Sequence, residues 1–124
     1  MSTYRLNVSV KTRHIPEQSD ANEARYVFAY TITITNTGDI ASQVISRHWV
    51  ITDAEAHVEE VKGLGVVGHQ PLLSPGETFE YTSGTALATP NGSMRGIYFV
   101  VAEDGTRFEA AIPEFSLAVP RSLH

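Results

Sequence analysis

Residues 25–36 read RYVFAYTITITN, and the character of their side chains alternates along the whole stretch. One face of an extended chain would carry large apolar and aromatic side chains, namely Tyr26, Phe28, Tyr30, Ile32 and Ile34. The other face would carry mainly threonine. A two-residue period in residue types with high β-propensity predicts a long strand with one buried face.

The same period recurs along the chain and decides the fold class. It is seen at residues 4–15, 43–52, 57–61, 78–83, 94–102 and 107–117, and turn residues such as Asp104-Gly105 separate the segments. No window combines a helical period with a capping residue. About seven strands without helices predict one all-β domain over residues 1–124, a two-sheet antiparallel β-sandwich of the immunoglobulin-like kind. Because the chain has no cysteine for an immunoglobulin disulfide, we expect the fibronectin type III-like variant.

Three positions in this sandwich can be predicted more closely. Trp49 is expected at the centre of the core, on the same face as Ile45 and Ile51. Residues 94–102, MRGIYFVVA, are almost all apolar, which predicts a central strand covered on both faces. Residues 57–61 are short and charged, which is typical of an edge strand.

Composition and charge narrow the possible partners. The net charge is -5, and the nine lysines and arginines are scattered singly, so no basic stripe is available for a nucleic acid. No apolar run approaches the roughly 18 residues of a membrane span or the length of a signal peptide. We therefore expect a cytoplasmic protein with no nucleic-acid or membrane partner, as a monomer or weak homodimer.

A glycine motif raises the question of nucleotide binding. Residues 63–68 read GLGVVG and match G-x-G-x-x-G, but Pro71 and Pro75 follow too closely for the helix that holds a dinucleotide pyrophosphate. Two interpretations remain. The first is an anion-binding nest of backbone N–H groups at Gly63, Gly65 and Gly68, with Lys62 and His69 beside it. The second is architectural: the glycines permit a bulge and a crossing between sheets, with Val66 and Val67 filling the end of the core.

Catalytic and metal chemistry find little support in the residue pattern. No serine lies in a G-x-S-x-G turn, and adjacent carboxylates such as Glu59 and Glu60 point to opposite faces of a strand. His57 and Glu59 would share a face, but they supply only two possible metal ligands. We therefore predict no catalytic residue, no metal site and no cofactor, and we keep a metal-dependent hydrolase only as the least favoured alternative.

Partner binding is the remaining class of function. Residues 84–92 are expected to form a loop in which Leu87 is either an exposed anchor for a partner or tucked beneath the loop. The tail, residues 119–124, is expected to be disordered or to dock on a sheet face.

Longer motifs resemble one known family. The segments GVVGHQPLLSPGETFEYTSG at 65–84, RHWVITD at 47–53 and IPEFSLAVPRSLH at 112–124 resemble the bacterial ApaG family, and the resemblance covers essentially the whole chain. It implies a fibronectin type III-like sandwich and an association with cobalt resistance and magnesium efflux. Related domains occur in eukaryotic F-box proteins and in a DNA-polymerase-delta-interacting protein, which implies an interaction module. The family supplies no established catalytic residue.

The resulting hypothesis is a non-enzymatic binding module that engages a protein partner and acts indirectly in cobalt and magnesium homeostasis. The alternative is a module that binds phosphate, pyrophosphate or a dinucleoside polyphosphate at Gly63–Gly68.

Overall fold

The computed structural model describes residues 2–120, which are mainly β-strands. In chain order the strands are β1 Leu6–His14, β2 Tyr26–Asn36, β3 Ser42–Asp53, β4 Val58–Leu64, β5 Leu72–Leu73, β6 Thr78–Leu87, β7 Asn91–Ala102 and β8 Arg107–Ala118. Two 3-10 turns, Pro16–Gln18 and Ala21–Glu23, lie between β1 and β2.

The strands form two antiparallel sheets. The smaller sheet has the order β1-β2-β6, and the larger one has the order β4-β3-β7-β8, with β5 paired to the start of β3. This arrangement confirms the predicted β-sandwich. All seven predicted strands are present, β4 lies at an edge as expected, and only the two-residue β5 was not predicted.

Aromatic packing joins the two sheets at the predicted centre. Trp49 is 3 % exposed and meets Tyr30 of β2 and Phe115 of β8 at ring-centroid distances of 5.4 and 5.9 Å, both edge to face. Gly96 lies opposite Trp49 on β7. A Cβ atom at Gly96 would lie 2.5 Å from the carbonyl oxygen of His48 and 3.1 Å from the indole, so glycine is required for this close approach.

A β-bulge makes one sequence prediction wrong. The pairing of β3 with β7 shifts between Val44 and Ser46, so Ile45 is the extra residue. Val44 therefore shares the buried inner face with Trp49. Ile45 instead lines a hollow on the outer face of the larger sheet beside Phe99.

The predicted coverage of β7 is also wrong. The strand is central, between β3 and β8, as expected. Only its inner face is buried, however, and Phe99 on its outer face is 38 % exposed. An apolar run predicts a strand covered on both faces, but here one face of β7 remains accessible.

The two sides of the sandwich differ. On one side β1 packs beside β8, where the ring of Tyr4 lies 5.8 Å from that of Phe108 and its hydroxyl donates to the carboxylate of Asp104. This hydrogen bond lowers the pKa of Asp104. On the other side β4 and β6 are the end strands of their sheets, and a gap lies between them. We call this gap the inter-sheet cleft.

The C-terminal tail is described only as far as Pro120. The N–H of Val119 donates to the carbonyl of Pro90 at 3.0 Å, and the side chain packs against the core. The rest of the predicted tail, residues 121–124, lies outside the described residues.

Trp49→Ala should lower the free energy of unfolding by about 3–5 kcal/mol, because it removes a buried indole that contacts both sheets. Urea denaturation monitored by circular dichroism measures the change. Glu109→Ala, at an exposed position on β8, is the control and should change the same quantity by less than about 0.5 kcal/mol. A Trp49→Ala protein as stable as the wild type would show that the indole does not hold the core together.

Candidate functional site

The backbone of the glycine run is hydrogen-bonded within the chain. The N–H of Gly65 donates to the carbonyl of Ile45 at 2.7 Å. Val66 and His69 exchange two backbone hydrogen bonds, of 2.7 and 3.0 Å. Three amides that an anion-binding nest could use are therefore already paired with carbonyl groups.

A tight turn explains the spacing of the last glycine. Val67 and Gly68 are the central residues between the paired Val66 and His69, with φ of 48° and 79°. Two consecutive positive φ angles define the hairpin turn whose twist matches antiparallel strands. Val66 is 0 % exposed and fills the core as the architectural interpretation expects, whereas Val67 is exposed, contrary to that interpretation.

The predicted anion-binding residues do not converge. Lys62 lies opposite His48 and lines a groove on the outer face of the larger sheet, together with Phe99. The ring of His69 instead lies 5.9 Å from that of Phe79, on the smaller sheet. The geometry favours the architectural interpretation, and anion binding at Gly63–Gly68 remains a prediction.

Arg47, which the sequence reasoning did not select, makes the most specific contact with the glycine run. Its guanidinium Nη1 donates to the carbonyl oxygens of Leu64 at 2.9 Å and Gly65 at 2.8 Å. Gly63 lies opposite Arg47 across the β3–β4 pair. A Cβ atom at Gly63 would lie 2.9 Å from Nη2 and 3.0 Å from Cζ, so the first glycine of the motif makes room for the guanidinium.

A signal for Arg47 was present in the sequence. Positions 47, 49 and 51 share one face of β3, so a charged residue stands on the face that carries Trp49 and Ile51. A charge on an inward face needs local partners or a solvent-filled space. Here Arg47 has both, since it binds two carbonyl groups and lines the inter-sheet cleft.

The inter-sheet cleft has a volume of about 300 Å³. Its lining combines aromatic and apolar groups with hydroxyls and two charges. The lining includes Tyr30, Arg47, Trp49, Glu59, Ser83 and Thr85. Such a mixture of an apolar surface with a few polar groups is typical of small-molecule pockets.

Two buried tyrosines meet beside the cleft. The hydroxyls of Tyr81 and Tyr98 are hydrogen-bonded to each other. Burial raises the pKa of Tyr81 to about 12, although the hydrogen bond to Tyr98 opposes the shift. Burial also raises the pKa of Tyr98, and the positive charge of Arg47 lowers both values in part.

The predicted loop around Leu87 requires a correction. Strand β6 continues to Leu87, which pairs opposite Tyr26 on β2 and is 5 % exposed. An exposed anchor at this position is therefore wrong, and the side chain lies in the core.

The possible metal pair does not form a centre. Nδ1 of His57 lies 3.2 Å from the carboxylate of Asp53 and 3.8 Å from that of Glu55. Glu59 lines the same hollow as His57 and also borders the inter-sheet cleft. Within residues 2–120, no group of three or more histidine, aspartate or glutamate side chains is arranged to hold a metal ion. None of the helices described over this range is long and apolar enough to cross a membrane.

The outer faces of the two sheets contrast in chemistry. On the smaller sheet, threonines form cross-strand hydrogen bonds, such as Thr31 to Thr82 at 2.8 Å. On the larger sheet, Leu64 is 76 % exposed, and Leu64 and Phe99 line a groove of about 410 Å³ that we call the outer groove. Phe99 also borders the neighbouring hollow lined by Ile45.

These features define an antiparallel β-sandwich with an architectural glycine hairpin, rather than a dinucleotide-binding domain. The chain belongs to the ApaG family, because the family model described as the ApaG domain matches residues 16–102. This finding confirms the resemblance drawn from the sequence motifs.

Similar proteins match over almost the whole chain. Protein ApaG of Ralstonia nicotianae is 68 % identical over 124 residues, covering 100 % of both chains. Protein ApaG of Thiobacillus denitrificans is 67 % identical over 121 residues, covering 98 % of this chain and 95 % of that one. The crystal structure of the putative ApaA protein from Bordetella pertussis has a TM-score of 0.93 at 64 % identity, covering 96 % of this chain and 97 % of that one.

Tyrosine ionisation should report the buried hydroxyl pair. The pKa of Tyr81 is raised from 10.0 to about 12, so its neutral form contributes stability that is fully present below pH 10. That contribution is lost as the pH rises from 10 towards 12, because the unfolded chain ionises first. Absorbance titration of tyrosinate should show late ionisation, and Tyr81→Phe should remove one late-titrating group. Ionisation of all five tyrosines together near pH 10, with the protein still folded, would contradict the buried pair.

Proposed function

We propose that the protein is a non-enzymatic binding module that docks a protein partner on the outer face of its larger sheet. The observation that carries this proposal is the exposure of Leu64 and Phe99 along the outer groove, on either side of Ser46. Large apolar side chains that line one exposed groove are characteristic of interaction surfaces. Burial of a phenylalanine or leucine side chain contributes about 1.5–3 kcal/mol, so these two residues are suitable anchors.

The surroundings of the outer groove suit a protein interface. Lys62 and His48 flank it, and His48 contacts the carboxylate of Glu60 at 2.9 Å. An apolar centre with a polar rim is the usual composition of such interfaces. The partner would place an apolar side chain against Phe99 and polar groups against the rim.

Strand β4 gives the partner a second means of attachment. It pairs with β3 on one side and is the end strand of the sheet on the other. An extended segment of the partner could add to this edge by backbone hydrogen bonds, with its side chains entering the outer groove beside Leu64. Backbone pairing of this kind tolerates many partner sequences, so the outer groove would supply the specificity for one partner.

A role in cobalt and magnesium homeostasis is proposed as an indirect one. The association of the ApaG family with cobalt resistance and magnesium efflux supports the physiological setting. The exposed groove supports a protein partner as the link to that setting.

The experiment compares affinity purification from native-cell lysate with three baits: wild type, the double variant Leu64→Ser/Phe99→Ser, and the control Thr31→Ala/Thr82→Ala. The control alters the outer face of the smaller sheet. Circular dichroism and melting temperature establish that each bait is folded. We expect proteins enriched by wild type and control to fall about tenfold or more with the groove variant, since hot-spot anchors each contribute about 2 kcal/mol.

Two outcomes would contradict the proposal. One is a set of partners that the groove variant retains in full. The other is repeated purification without any specific partner.

A further inference from the structure

We propose that the inter-sheet cleft is a separate binding site for a small aromatic monocarboxylate, whose carboxylate pairs with Arg47. The site lies between β4 and β6, and Arg47 also borders the outer groove. The site does not depend on the protein partner proposed above.

Arg47 has hydrogen-bond donors beyond those that it uses within the chain. A guanidinium has five N–H donors in a planar fork that matches a carboxylate. The structure gives Arg47 two hydrogen bonds, both from Nη1, to the carbonyls of Leu64 and Gly65. Within residues 2–120, no hydrogen bond is made by Nη2 or Nε. The guanidinium is thus held in place by one nitrogen, while other donors remain to bind an anion.

The size and polarity of the cleft suit a small aromatic acid. Its volume of about 300 Å³ lies at the lower end of the range for small-molecule pockets. Tyr30 and Trp49 border the cleft with the 6 % and 3 % of their surfaces that are exposed, and Ser83 and Thr85 supply hydroxyls from β6. A single aromatic ring with a short acidic substituent combines the properties that this lining favours.

The charges of the lining residues favour a ligand with a single negative charge. Arg47 is the only lysine or arginine among the lining residues, and Glu59 is the only acidic one. A second negative charge on the ligand would therefore lack a cation and would be repelled by Glu59. This charge balance favours a monocarboxylate over pyrophosphate or a dinucleoside polyphosphate.

The protein contains a built-in reporter for this site. Trp49 is its only tryptophan and lines the cleft, so intrinsic fluorescence reports binding there.

The probes are benzoate and phenylacetate, with benzamide and phenylacetamide as matched neutral controls and pyrophosphate as the phosphate probe. We expect a saturable fluorescence change with the carboxylates and about tenfold weaker binding of the amides, because hydrogen bonds to charged groups are the stronger ones.

Two variants test the assigned roles. Arg47→Gln should weaken carboxylate binding about tenfold or more, since it removes the charged partner. It also removes the contacts to Leu64 and Gly65, so Glu59→Gln at an exposed position is the second variant. Glu59→Gln should tighten carboxylate binding severalfold by removing a repulsive charge.

The outcomes are distinct. Equal binding of the carboxylates and the amides would overturn the proposal, as would unchanged affinity in Glu59→Gln or no saturable signal in the folded wild type. Binding of pyrophosphate without binding of either carboxylate would also overturn it. Phe99→Ser, which alters the outer groove and not the cleft, should keep carboxylate affinity and so separates this site from that groove.

Discussion

The architectural role of the glycine run, residues 63–68, depends on the hydrogen bonds from Arg47 to the carbonyls of Leu64 and Gly65. They place the guanidinium against β4, in space that a Cβ atom at Gly63 would crowd. They leave the adjoining turn folded back on itself, with Val66 in the core. The motif G-x-G-x-x-G therefore has a consistent architectural explanation: the first glycine makes room for Arg47, and the next two adopt positive φ angles.

The same contact connects the two surfaces to which we assign functions. Arg47 lies on the inner face of β3 and lines the inter-sheet cleft, while Leu64, whose carbonyl it binds, presents its side chain to the outer groove. Trp49 joins the sheets beside the cleft. Tyr4 packs against Phe108 on the side of the sandwich where β1 lies beside β8. The cleft lies on the opposite side, between β4 and β6. The outer groove and the inter-sheet cleft thus lie on opposite faces of β3, and Arg47 borders both.

Alternation along the strands was sufficient to predict β2, the position of Trp49 and the edge location of β4, because these follow from local residue patterns. The position of Ile45 could not be read in this way, since the bulge is defined by the pairing of β3 with β7. Leu87 is buried because β6 continues along β2 beyond Gly84, which is also a property of strand pairing. The apolar character of β7 could not show that Phe99 remains exposed, since residue type does not reveal whether a second layer covers a sheet. For the glycine run, the sequence left two interpretations, and the partners of the backbone amides favour the architectural one.

The central claim is that the glycine run is architectural. Amide hydrogen exchange, measured by NMR with and without pyrophosphate, tests this claim most directly. If the glycine run is architectural, the amides of Gly65, Val66 and His69 should exchange slowly in the free protein, because each donates to a backbone carbonyl. Pyrophosphate should leave these rates unchanged. Fast exchange in the free protein, with protection of the same three amides when pyrophosphate is added, would contradict this account and establish the glycine run as an anion site.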